Sequence, residues 1–210
     1  MSETSALLHE PWPDLRLQRE GVSFGVWIFL ASEVLFFGAL FLGYAVYRSL
    51  NADAFLLAAS HTEIVYGTIN TALLLTSSMT ITVALRAATA GFRRTTLVLL
   101  LVTLALGMAF LATKGLEYAS DLEKHLFPGP DFPLSPPATQ LFWAYYWVMT
   151  GIHAVHLTGG ILVVATVALL YWRRIIPIQG STMVGIATYW HFVDAIWLVL
   201  YPLLYLTGRS

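Results

Sequence analysis

Two histidines, His153 and His156, stand three residues apart in TGIHAVHLTGG, a run otherwise apolar, small or hydroxylated. At that spacing the imidazoles share one helix face, and a pair of neutral imidazoles is the beginning of a metal site. A tight site needs further ligands, and the best available are His191 and Glu33, far off in the sequence. The other reading is that both imidazoles hydrogen-bond across helices, with Gly151, Gly159 and Gly160 permitting close approach. With no third or fourth ligand nearby, the structural reading is favoured, and neither a metal nor a catalytic residue is expected on this chain. His191 and Asp194, in YWHFVD, form a second couple able to hold a proton or a salt bridge. Glu117, beside Lys114 in KGLEY, closes an apolar stretch and reads as a cap or an interfacial anchor.

The elements that must position these groups are membrane helices. Hydrophobic residues make up 58% of the 210 residues and charged ones 11%, less than half the roughly 25% charge of a soluble domain. A net charge of −1 gives no footprint for nucleic acid. The absence of cysteine removes disulfides, thiolate metal sites and cysteine nucleophiles. Five apolar stretches, Val22–Ser49, Ile64–Thr89, Thr95–Lys114, Leu141–Trp172 and Met183–Leu206, each supply the ~20 residues that a helix needs to cross a bilayer. Isolated strands cannot satisfy their backbones in lipid, so the fold class is all-α, an integral membrane bundle of five transmembrane helices. The fourth stretch is longer than spanning requires and should tilt or project. Five prolines between Glu117 and Thr139 forbid a helix there and mark an ordered or semi-rigid external loop.

Glu33, in WIFLASEVLFFGALFLGY, lies eleven residues past Val22, or ~16 Å of helix rise, close to mid-membrane. An ionised carboxylate there is costly, so Glu33 is expected to be protonated or paired. An assembly role, bonded to a neighbouring helix, and a proton-related role both stand open. Asn70, Thr71, Ser77, Ser78 and Thr82 fall largely along one side of the second helix and read as packing residues. Residues 1–21 are polar, without a signal-peptide pattern, and read as a cytoplasmic N-terminal segment, with 22–210 as the membrane domain. Of the 11 Lys and Arg, one side collects Arg16, Arg19, Arg86, Arg93, Arg94, Arg173 and Arg174, and the other Arg48, Lys114, Lys124 and Arg209. The seven-charge side should be cytoplasmic, which leaves the C-terminus external.

In order along the chain, SEVLFF around Glu33, INTALLLTSS around Asn70, KGLEY at 114–118, TGIHAVHLTGG and YWHFVD at 189–194 resemble subunit III of the haem–copper respiratory oxidases in its five-helix form. The resemblance covers Trp27 to Tyr205. Seven-helix relatives carry two extra N-terminal helices that wall a lipid cleft. The resemblance implies a non-catalytic subunit of a proton-pumping oxidase in the bacterial cytoplasmic (inner) membrane, with haem and copper in partner subunits and no cofactor on this chain. It implies packing against subunit I, assembly with subunit II, retention of phospholipid, and support of proton uptake and of enzyme stability. It makes Glu33 the family's buried carboxylate and Asn70, Glu117, His153, His156, His191 and Asp194 members of an interhelical polar network. Arg173 and Arg174, at the cytoplasmic end of the fourth stretch, suit lipid phosphates by charge and depth. Glu33 and KGLEY lean toward a cytochrome c oxidase, with a quinol oxidase as alternative. Residues 66–78 and 202–206 are also similar to the subunit III-like accessory protein of nitric oxide reductases.

Overall fold

In the computed structural model, which describes residues 14–175 and 180–207, the chain folds into six α-helices and a closing π-helical turn. They are α1 (Leu15–Leu50), α2 (Ala52–Ser60), α3 (Ile64–Thr89), α4 (Arg93–Glu123), α5 (Ala138–Trp172), α6 (Gly180–Tyr201) and the turn Pro202–Leu206. Five segments are long and apolar enough to cross a membrane: Ser23–Leu50, Ile64–Thr89, Arg93–Glu123, Ala138–Trp172 and Met183–Leu206. The expected five-helix bundle is the observed one. Residues 1–13 and Arg209, which enter the readings of the N-terminal segment and the charge count, lie outside the described residues.

Two boundaries differ from expectation by more than three residues at a single end, each for a physical reason. α1 begins at Leu15, upstream of the apolar run, because Asp14 caps it by accepting the Leu17 N–H at 2.8 Å. α4 does not stop at Lys114 but runs to Glu123. Its buried positions Thr96, Leu100, Thr103, Gly107, Phe110, Lys114, Glu117 and Asp121 alternate steps of four and three, the period of one helix face. Hydropathy falls at Lys114 while the period continues, so Glu117 is an interior residue and not an interfacial cap. The short α2 was unforeseen. Its Phe55 wedges against the rings of Tyr44 and Phe142, at 5.4 and 5.7 Å between centroids.

Helices α3, α4, α5 and α6 form a ring in which each packs on the next and α6 returns to α3. α1 lies outside this ring against α5 and α6, and α2 plugs one end between α5 and the π-turn. Three helices end alike. The N–H of Phe92, Leu126 and Ile175 reaches back to the carbonyl of Ala87, Asp121 and Leu170, at 2.9, 2.9 and 3.0 Å. The residue before each, Gly91, His125 or Arg174, has a φ of 78°, 56° or 58°. This left-handed closure satisfies carbonyls left over at a helix end, and only Gly91 adopts it without the cost of a Cβ. At the other terminus, Pro202 cannot donate a backbone hydrogen bond, and the chain widens there into the π-turn. Tyr44 donates to the Leu203 carbonyl at 2.8 Å and Thr62 to that of Leu204 at 3.3 Å, which takes up groups the turn frees.

Candidate functional site

The ionisable side chains within the bundle separate into distinct clusters. At the α1–α5 seam, Glu33 Oε2 and His156 Nε2 are 2.9 Å apart, with side chains 17% and 19% exposed. His156 Nδ1 lies 2.9 Å from the Ile152 carbonyl. A carbonyl only accepts, so Nδ1 carries hydrogen and Nε2 is the nitrogen that faces the acid. The Nε2–Oε2 contact needs one hydrogen, whichever partner owns it. Glu33 is therefore paired, and the Phe37 ring edges onto the imidazole at 5.3 Å.

The four candidate metal ligands of the sequence part company. His156 faces Glu33, whereas His153, one turn away, is 1% exposed and lies between the rings of Phe110 and Trp197 at 5.5 and 5.2 Å. Neither of its ring nitrogens finds a hydrogen-bond partner among the described residues. His191 sits on α6 facing α3, with Nδ1 2.7 Å from the Ser78 hydroxyl and Nε2 3.1 Å from that of Thr82. Asp194 shares that seam without bonding His191: it is 4% exposed, and neither carboxyl oxygen has a hydrogen-bond partner in good geometry among the described residues. Asn70 is fully buried, and its amide is likewise unpartnered among the described residues. Below and above these orphans the seam is bonded. Trp190 donates to Ser77 at 2.9 Å, Trp197 to Thr71 at 3.0 Å, and Tyr201 meets Thr68 at 2.7 Å.

A further enclosed cluster carries no signature in the sequence. Lys114 is 2% exposed, Glu117 0% and Asp121 1%, all on the inner face of α4. They meet Tyr146 of α5 and Tyr205 of the π-turn. Lys114, a flanking cation by its place in the sequence, lies inside the bundle, and the Tyr146 ring is 4.5 Å from its nitrogen. Just beyond the helix end, Lys124 pairs with Glu63, and that hydrogen bond raises the lysine pKa above its ordinary value. At the opposite end, Arg93 donates to the carbonyls of Tyr171 and Trp172 at 3.0 and 2.9 Å, closing the C-terminus of α5 with a cation. Arg94, Arg173 and Arg174 are exposed beside it.

Fold and clusters together define a multi-pass membrane protein with several polar clusters bonded between its helices. A family profile described as cytochrome c oxidase subunit III matches residues 15–209. Cytochrome c oxidase subunit 3 of Thermostichus vulcanus is 34% identical over 94% of this chain and 90% of its own length. Cytochrome bo(3) ubiquinol oxidase subunit 3 of Pseudomonas aeruginosa is 28% identical over 88% and 84%. The heme-copper oxidase subunit I+III of Aeropyrum pernix is 32% identical over 94% of this chain and 24% of its own length. The chain belongs to the cytochrome c oxidase subunit III family of the haem–copper oxidases, whose members serve cytochrome c or quinol oxidases as one part of an oxidoreductase complex and work with subunit I.

Proposed function

We propose that this chain is the non-catalytic subunit III of a proton-pumping oxidase that reduces oxygen to water, most simply with cytochrome c as donor. It packs directly against subunit I, assembles with subunit II, and supports proton uptake, lipid retention and the stability of subunit I. The observation that carries this reading is the Glu33–His156 pair, a proton-bearing couple near mid-membrane that remains partly open at the α1–α5 seam. Haem and copper belong to the partner subunits in this reading, supported by the separation of the Glu33–His156 pair from His153, held between aromatic rings, and from His191, on the α3 seam. Arg173 and Arg174 serve lipid phosphates. Near them a groove of about 360 Å³ between α4 and α5, lined by Leu97, Leu101, Ala168 and Trp172 among others, has the apolar wall that an acyl chain requires. The quinol alternative is favoured by the Pseudomonas relative and by quinol oxidase subunit 3 of Bacillus subtilis, 28% identical.

The test compares oxidase complexes with and without this chain for turnover against pH and activity against time. The stripped complex should keep its haems and initial activity, slow more steeply at alkaline pH, and inactivate sooner during turnover. Glu33→Gln in the intact complex should reproduce the alkaline slowing alone. Identical behaviour of the two complexes in both assays overturns the role in proton uptake and stability. A stripped complex without haem would make the chain an assembly factor instead.

A further inference from the structure

The lysine cluster contains more hydrogen-bond contacts than its usual ionisation can fill. Lys114 Nζ lies 3.0 Å from Glu117 Oε2, 2.9 Å from the Tyr146 hydroxyl and 2.6 Å from that of Tyr205. The Tyr146 oxygen is 2.8 Å from both Glu117 Oε1 and Asp121 Oδ2, and the Tyr205 oxygen is 2.7 Å from Glu117 Oε1. These are six contacts, and each requires one hydrogen between its two heavy atoms. An ammonium supplies three and each phenol one, which makes five. A single O–H split between two carboxylates would give two bent, long bonds, at odds with 2.8 Å to each. The sixth hydrogen must therefore sit on a carboxyl group.

Charge leads to the same count. One ammonium against two carboxylates leaves a net −1 among residues no more than 2% exposed, whereas one added proton makes the cluster neutral. The carboxylate that stays ionised is the one touching the ammonium, Glu117. Asp121 makes no hydrogen bond or ion pair with Lys114, and its Oδ1 has no hydrogen-bond partner among the described residues, a poor place for a full charge and a tolerable one for the carbonyl oxygen of an acid. We propose that Asp121 is a proton-binding site, which donates its proton to the Tyr146 hydroxyl and so locks α4 to α5 and, through Glu117, to the π-turn. Its position is close to water: Asp121 lies ~3 Å of helix rise inside the Glu123 end of α4.

Release of this proton leaves two oxygens at 2.8 Å without a hydrogen between them, so the lock opens as pH rises. The groups that face Asp121 and its partners are Lys114, Glu117 and Tyr118 on α4, Tyr146 and His153 on α5, and Tyr205 on the π-turn. Lys124 and Glu63 lie outside, and Lys124 is kept charged by its pairing, so it does not drive the opening. Infrared spectra of the intact oxidase complex test the assignment. Wild type at neutral pH should show a protonated-carboxyl band that shifts in heavy water, is missing in Asp121→Asn, and moves to higher frequency in Tyr146→Phe as its hydrogen bond is lost. The band should also fade reversibly as pH is raised. Assembled Asp121→Asn complex with an unchanged carboxyl region overturns the proposal, as does loss of the band in Glu117→Gln alone. Should Asp121→Asn fail to assemble, the Tyr146→Phe shift decides: no movement of any protonated-carboxyl band overturns it.

Discussion

Replacing Lys114 by Met removes a cation while leaving its volume roughly filled, so the change isolates charge from packing. Its ammonium donates to Glu117, Tyr146 and Tyr205, and both members of the ion pair are within 2% of complete burial. Removing one partner of a buried pair strands the other, at a cost of about 3–5 kcal/mol. At about 1.4 kcal/mol per factor of ten, the folded population relative to the unfolded falls by a factor of about a hundred to a few thousand. Glu117→Gln strands the ammonium and should cost a similar amount. The double change Lys114→Met with Glu117→Gln removes both charges, and the glutamine carbonyl still accepts from Tyr146 and Tyr205. It should destabilise less than either single change, with a coupling of about 2 kcal/mol or more. Retention of the chain in the detergent-solubilised complex under increasing denaturant or heat is the assay. Lys124→Met is the control, because the Lys124–Glu63 side chains are 44% and 38% exposed and such pairs contribute about 0–1 kcal/mol. If Lys114→Met falls in that same small range, or if the two single changes simply add, the buried pair is not what holds α4 to its neighbours.

The same retention assay distinguishes glycines that are contact points from glycines that are not. A Cβ on Gly67 would stand 2.9 Å from the Tyr205 ring and 3.0 Å from that of Tyr201; with Tyr205 pinned by its hydroxyl, Gly67→Ala should cost about 1–3 kcal/mol. Gly38 meets nothing within 4 Å, so Gly38→Ala should be neutral or stabilising by up to about 1 kcal/mol, and equal loss in both variants would refute the distinction. For orientation, Lys114 leaves the flank count, so the split of seven against four becomes seven against three. A cysteine at Ser2 in this cysteine-free chain should therefore stay unlabelled by an impermeant reagent in intact cells, while one at Ser210 is labelled.

The helices were legible because each needs a long apolar run, a constraint that acts within one segment of sequence. The same logic hid the lower third of α4. Lys114, Glu117 and Asp121 lower the local hydropathy, and only the steps of three and four between them betray a continuing buried face. Pairing between helices was harder to read. Glu33 was visible as a costly mid-membrane acid, but nothing local to it says that His156, 123 residues away, is its partner. Spacing placed His153 and His156 on one face, yet a step of three also turns them ~60° apart, enough to send one to Glu33 and the other into an aromatic cage. Tyr146 and Tyr205 carry no spacing signal in the sequence, and their role appears only once α5 and the π-turn converge on Lys114.

This distribution of polar groups follows from the solvent. Between helices in a bilayer, apolar side chains gain little by preferring each other to lipid, so burial alone cannot choose a partner or a register. Here each polar cluster chooses one. Glu33 and His156 set α1 against α5, Trp190, His191, Trp197 and Tyr201 set α6 against α3 along its length, and Lys114 with its partners sets α4 against α5 and the π-turn. A hydrogen bond between membrane helices contributes only about 0.6–2 kcal/mol, so none of these contacts alone fixes the bundle. Slippage of α6 by one turn, however, would unmake four of them together while lipid offers no replacement. The bonded polar side chains thus act as a registry device, and in the readings proposed above chemistry enters where a cluster also holds an exchangeable proton, at Glu33–His156 and at Asp121.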